Sequence, residues 1–153
     1  MEITPYRIAE RYLGLSEIPG EKNHPFVQWC FSLCNGYGLW TPDEEAWCSA
    51  FMQHPCYELG LRRSKSARAR SWLLIGERIP WQDARVGFDV VVLKRGQGLQ
   101  PGPEVTEAQG HVGWLAGFDV VRNRIRVLAG NQWNKVSIAD FAVDMILSVQ
   151  RLG

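Results

Sequence analysis

A chain of 153 residues is one domain's worth and is long enough to bury a sizeable core. With 46% hydrophobic and 22% charged residues it is not a disordered chain, and a net charge of +1 gives no global pull toward nucleic acid. No apolar run is long enough to cross a membrane, and Met1 leads into a charged amphipathic pattern rather than a secretory leader. Neither stable membrane insertion nor a signal peptide is therefore expected.

The first half of the chain reads as helical. Tyr6, Ile8, Ala9, Tyr12 and Leu13 recur at helical spacing and predict a helix over residues 4–15, with Thr4 as N-cap and Pro5 as its first residue. A second helix is predicted from about His24 to Cys34, broken by Asn35-Gly36. It stacks Cys30 and Cys34 on one core-facing side. A third begins near Trp47 and ends by Gly60, with Pro55 expected to kink or split it. A fourth covers 66 to about 74, stopped by Gly76.

After Pro80 the pattern changes to short β-rich runs at 88–93, 111–116, 125–128, 136–138 and 145–149. Asp119 and Arg122-Asn123-Arg124 mark turns, which predicts antiparallel hairpins. Helices followed by a strand meander give an α+β class, and no repeat or linker divides residues 1–153, so a single domain is expected.

Chemistry concentrates at three places. Cys48 stands in Glu45-Ala46-Trp47-Cys48-Ser49, where an acidic stretch turns into the third helix. A thiol at a helix start feels the positive end of the dipole, which favours the thiolate. His111 heads an apolar strand in Gly110-His111-Val112-Gly113-Trp114, and Asn131 and Gln132 end the next in Ala129-Gly130-Asn131-Gln132-Trp133. A lone cysteine is more often inert packing than a nucleophile. Cys30, Cys34 and Cys56 are read that way, and helix position singles out Cys48. With no leader and no framework spacing, the four cysteines are expected to be reduced thiols.

Other features carry two readings each. The segment 96–109, rich in Gly and Pro ahead of His111, is a lid bordering a cleft or an ordinary hairpin loop. Arg62, Arg63, Lys65, Arg68 and Arg70 form a solvated face or a surface for an anionic envelope. Trp29, Trp72 and Trp114 fall on apolar faces and are read as core, whereas Trp47 and Trp133 flank the candidate residues and are read as cleft walls.

A cysteine on a helix, a histidine on a strand and a polar orienter on the neighbouring strand resemble papain-like cysteine hydrolases. With 44–51, Ser66-Ala67-Arg68-Ala69-Arg70-Ser71-Trp72, Gly110-His111-Val112-Gly113 and 127–132, the chain is similar over nearly its whole length to the NlpC/P60 and CHAP superfamily of peptidoglycan hydrolases, in particular to compact phage-type members.

The resemblance implies a papain-like fold, with N-terminal helices packed on a C-terminal antiparallel sheet. It also implies cleavage of an amide bond in peptidoglycan, as a stem-peptide endopeptidase or an N-acetylmuramoyl-L-alanine amidase. Carried over by position, Cys48 matches the nucleophile, His111 the general base and Asn131 the residue that orients the imidazole. Relatives often have a carboxylate near that third position, and Ala129 and Gly130 supply none, so Gln132 stands as the alternative. Gly110, Gln132, Trp133, Trp47 and Glu45 are the expected substrate contacts.

The backbone N–H of Cys48 is the expected oxyanion donor. No cofactor and no metal are expected, the partner is bacterial peptidoglycan, and the chain is expected to act as a monomer. The expected setting is synthesis in a bacterial cytoplasm and action in the periplasm after membrane passage or delivery, as a phage lysin or a secretion-system toxin. The competing classes are a non-enzymatic wall-peptide binder and a metal module drawing on Cys30, Cys34, His24, His54 and Cys56, which lacks zinc-type pair spacing.

Overall fold

A computed structural model describes residues 2–16, 24–35 and 44–153, the side chains of 44–46 excepted. Within these residues the chain is a mixed α+β structure.

Helix α1 (Pro5–Ala9) opens as its sequence predicts, with Thr4 Oγ1 accepting from the Arg7 N–H at 3.2 Å and Pro5 in the first turn. It is shorter than the apolar periodicity implied, tightening into a 3-10 turn at Glu10–Tyr12. The reason is tertiary. The Gly14 N–H donates to Val136 O at 2.9 Å and Leu15 O accepts from the Val136 N–H at 2.8 Å, so this backbone leaves the helix to pair with a strand. Helix α2 (Pro25–Ser32) is capped by His24, whose Nδ1 accepts from the Phe26 N–H at 3.1 Å, and it buries Val27, Cys30 and Phe31.

Helix α3 (Glu44–Leu59) corrects the sequence reading in two ways. It begins three residues earlier than expected, and Pro55 does not divide it. Proline removes one ladder bond, but packing outweighs that loss: Trp47, Cys48, Ala50, Phe51, Met52 and Cys56 are all buried. A helix apolar around most of its circumference belongs inside a protein. Its polar side is satisfied internally, with Ser49 Oγ donating to Ser66 O at 2.6 Å and accepting from Trp72 Nε1 at 2.9 Å. Gly60, at φ +64°, ends α3 in a Schellman-type closure, the Leu61 N–H reaching Cys56 O at 2.9 Å. The expected fourth helix is a 3-10 segment, Ala69–Leu74, held by the fully buried Trp72.

The strands are β1 (Glu77–Ile79), β2 (Val90–Leu93), β3 (His111–Asp119), β4 (Arg124–Gln132), β5 (Lys135–Ala142) and β6 (Ile146–Arg151). They form one antiparallel sheet in the order β1-β6-β2-β3-β4-β5. The β3-β4-β5 meander was legible in the sequence. The short polar β1 was not, because it is defined by its pairing with β6 rather than by apolar alternation.

Strand alternation sorts the core into two clusters. Val90, Val92, Val112, Trp114 and Leu128 face the helices, whereas Val91, Leu93, Leu115, Ile125, Val127 and Ala129 face the other way, toward Phe118, Phe141, Val143 and Met145.

At Gly130 α3 packs closely on β4. A Cβ there would overlap the Trp47 ring and lie 2.9 Å from Phe51 Cβ, both on rigid buried residues. Gly130→Ala is therefore expected to lower unfolding free energy by about 1–3 kcal/mol through overpacking. A urea midpoint equal to that of wild type would contradict this close approach.

Candidate active site

The face of β3 turned away from the helices carries His111. It pairs in register with Leu93 and lies 5.7 Å, ring to ring, from Phe141. The imidazole lines a cleft of about 380 Å³. Lys94, Arg95 and Gly96 come from the end of β2, Asn131, Gln132 and Trp133 from the end of β4, and Asp140 and Phe141 from β5. The volume falls in the range of small-molecule sites.

His111 is only 6% exposed, and its Nε2 lies 2.9 Å from Gln132 Oε1. The other end of that amide is anchored: Gln132 Nε2 donates to Ser137 O at 2.7 Å and to Val127 O at 3.2 Å. With the Gln132 nitrogen committed to carbonyls, its oxygen must face the imidazole, and His111 Nε2 must carry the proton. The hydrogen-bond network thereby assigns the tautomer and leaves Nδ1 as the basic nitrogen. Burial pushes the His111 pKa down to about 4, against the raising effect of the Gln132 bond and helped by the nearby Arg95 charge. The ring is neutral at pH 7.

Of the two residues expected near the imidazole, Gln132 rather than Asn131 is the one hydrogen bonded to it. Simple alternation from Ala129 would bring residue 131 to the His111 face. The β4–β5 register instead shifts between Ala129 and Gln132, and Asn131 takes φ +58°. One extra residue in the strand reverses its parity, so Gln132 arrives where Asn131 was expected. Asn131 still borders the cleft.

Cys48 is fully buried in the helix-side cluster and does not line the His111 cleft. Because α3 starts at Glu44, Cys48 is its fifth residue. Its N–H therefore lies past the four orphan donors of the helix end, unlike the free donor expected of a helix-start cysteine. Burial raises the thiol pKa values of Cys30, of Cys34 to about 11 and of Cys56 to about 12, in keeping with their reading as inert packing.

The remaining expected contacts divide. Trp133 is 86% exposed and lines the cleft as anticipated. Trp47 does not: it is buried against Gly130 and is core. Gly110 is packed against Arg70 and β2, since a Cβ there would meet Arg70 Cγ at 2.8 Å and Leu93 O at 3.2 Å. The side chain of Glu45 lies outside the described residues.

Arg70 is the residue that sequence reasoning most misplaced. Grouped with a solvated basic face, it is in fact fully buried, donating to Gln109 O at 2.7 Å, Gly102 O at 2.8 Å, Val105 O at 2.9 Å and Pro101 O at 3.0 Å. One guanidinium thus fixes much of the 96–109 segment, whose Gly96 reaches the cleft. No local pattern announces a side chain that satisfies distant carbonyls. Lys94 and Arg95 were also missed, although a basic pair ending an all-apolar strand was a visible signal.

Trp72 and Trp114 are fully buried as predicted, whereas Trp29 is 38% exposed, its ring packed with Phe26, His54 and Tyr57. His54 is fully buried among Tyr12, Phe26 and Phe51, with centroids 4.9–5.0 Å away and neither ring nitrogen hydrogen bonded. Desolvation lowers its pKa to about 3. Among the described residues no three His, Cys, Asp or Glu side chains converge, so the metal-module reading gains no support. Compared with models of known families and with curated proteins, the chain matches none.

Proposed function

We propose that the chain is a papain-like cysteine hydrolase of the NlpC/P60 and CHAP type that cleaves an amide bond in bacterial peptidoglycan. The observation that carries this reading is the Gln132-anchored tautomer of His111, which keeps Nδ1 as a neutral base at pH 7. Papain-like chemistry needs that arrangement: one ring nitrogen tied to an amide oxygen, the other available for a thiol. The chain order of helix cysteine, strand histidine and next-strand amide supports the same reading.

In the proposed reaction His111 Nδ1 takes the proton of the Cys48 thiol, and the thiolate attacks the scissile carbonyl. The imidazolium then protonates the leaving amine, and water activated by His111 hydrolyses the thioester. In this structure the thiol is fully buried on the helix side of the sheet and His111 lies on the opposite face, so the proposed reaction requires a rearrangement that brings Sγ to the imidazole. A stem-peptide endopeptidase and a muramoyl-alanine amidase both fit, with the chain acting as a monomer on wall that it reaches as a lysin or a delivered toxin. Among the described residues no helix is long and apolar enough to cross a membrane.

Digestion of purified wall fragments of defined cross-linking, with products identified by mass, tests the proposal. New amino termini within the stem, or release of lactyl-linked glycan, are the two supporting outcomes; unchanged fragments would reject it. In the same assay Gln132→Ala is expected to lower kcat by roughly 10²-fold, the scale of a general acid–base contribution. Asn131→Ala is expected to lose less. The reverse order would return the orienting role to Asn131.

A further inference from the structure

We propose that Trp133 is a stacking platform for a pyranose ring, so that the ligand of the His111 cleft is a glycan-linked peptide rather than a free one. This deepens the wall-hydrolase reading and rests on it for the identity of the glycan.

Gln132 pairs with Lys135, so Trp133 and Asn134 alone turn the chain from β4 to β5, and both have φ +59°. A two-residue hairpin with both central residues left-handed is the turn that favours Asn-Gly or Asp-Gly. A tryptophan there is a poor choice for the fold twice over. A large β-carbon-bearing residue is strained in the left-handed region, and its indole is 86% exposed.

Residues that break local rules at no evident structural gain mark function. This one lines the cleft that holds His111. A pyranose has an apolar C–H face and a rim of hydroxyls. The cleft offers the matching surface, with the indole as flat wall and Asn131, Asp140 and Lys94 as polar partners.

The test uses a peptide-free probe, the N-acetylglucosamine tetramer, and a glycan-free stem tetrapeptide, each titrated by NMR against wild type, Trp133→Asn and Trp133→Tyr. The tetramer is expected to bind wild type, to lose roughly tenfold in affinity in Trp133→Asn, the scale of one aromatic stacking contact, and to be largely retained by Trp133→Tyr. Tetrapeptide binding is expected to be the same in all three, and Trp133→Asn to match or exceed the wild-type Tm.

The proposal is overturned if the tetramer does not bind wild type, if Trp133→Asn binds it equally, if the loss falls on the tetrapeptide instead, or if Trp133→Asn lowers Tm, which would make the ring structural. Because neither probe needs turnover, tetramer binding without wall hydrolysis would reject the hydrolase reading and leave the platform standing.

Discussion

His111→Ala is expected to abolish wall hydrolysis, with a loss of at least about 10³-fold in kcat, and Cys48→Ala is expected to do the same. In the proposed mechanism the two act in one proton-transfer and attack sequence, so the double variant should be no worse than either single one. Stability separates chemistry from packing. Cys48 is fully buried in the helix-side cluster, so its truncation should cost on the order of 1 kcal/mol in unfolding free energy, too little to unfold the protein at 25 °C. His111 lies in the other cluster's face and is tied to Gln132. Kinetics on wall fragments, alongside urea denaturation of each variant, check both statements. Activity retained by Cys48→Ala but lost in His111→Ala would leave His111 as a base acting on water and make Cys48 a core residue only.

Acidification is expected to destabilise the protein well before its carboxylates are protonated, and His54 is a main cause. Its folded pKa is about 3 against an ordinary 6.5, because desolvation among aromatic rings disfavours the imidazolium. The unfolded chain therefore binds this proton first. The neutral ring's contribution is fully present above about pH 6.5 and is lost progressively as pH falls toward 3.

His111, with a folded pKa of about 4, behaves in the same sense over a narrower window. Each group costs about 1.4 kcal/mol per pH unit inside its window, so at pH 5 the two together remove on the order of 4 kcal/mol relative to pH 7. That is a large part of a typical stability. Urea midpoints at pH 7, 6 and 5 measure the loss, and His54→Phe should flatten the curve by roughly half. An unchanged pH dependence in His54→Phe would show that the buried ring is not the titrating group.

The sequence by itself determined the elements whose signals are local. Thr4-Pro5 and His24-Pro25 start helices because a side-chain acceptor followed by proline satisfies the first turn without outside help. The β3-β4-β5 meander follows from apolar alternation interrupted by turn residues. The same patterns directed attention to His111 and to the end of β4, where the cleft lies.

What only the tertiary structure decided depends on partners far away in the chain. Pairing with β5 shortened the first helix, and burial on most sides kept α3 whole through Pro55. Arg70 was drawn from an expected surface into contact with four carbonyls. The residue that meets His111 is Gln132 rather than Asn131 because a strand's facing has period two, and one inserted residue, invisible to composition and spacing, reverses every facing beyond it.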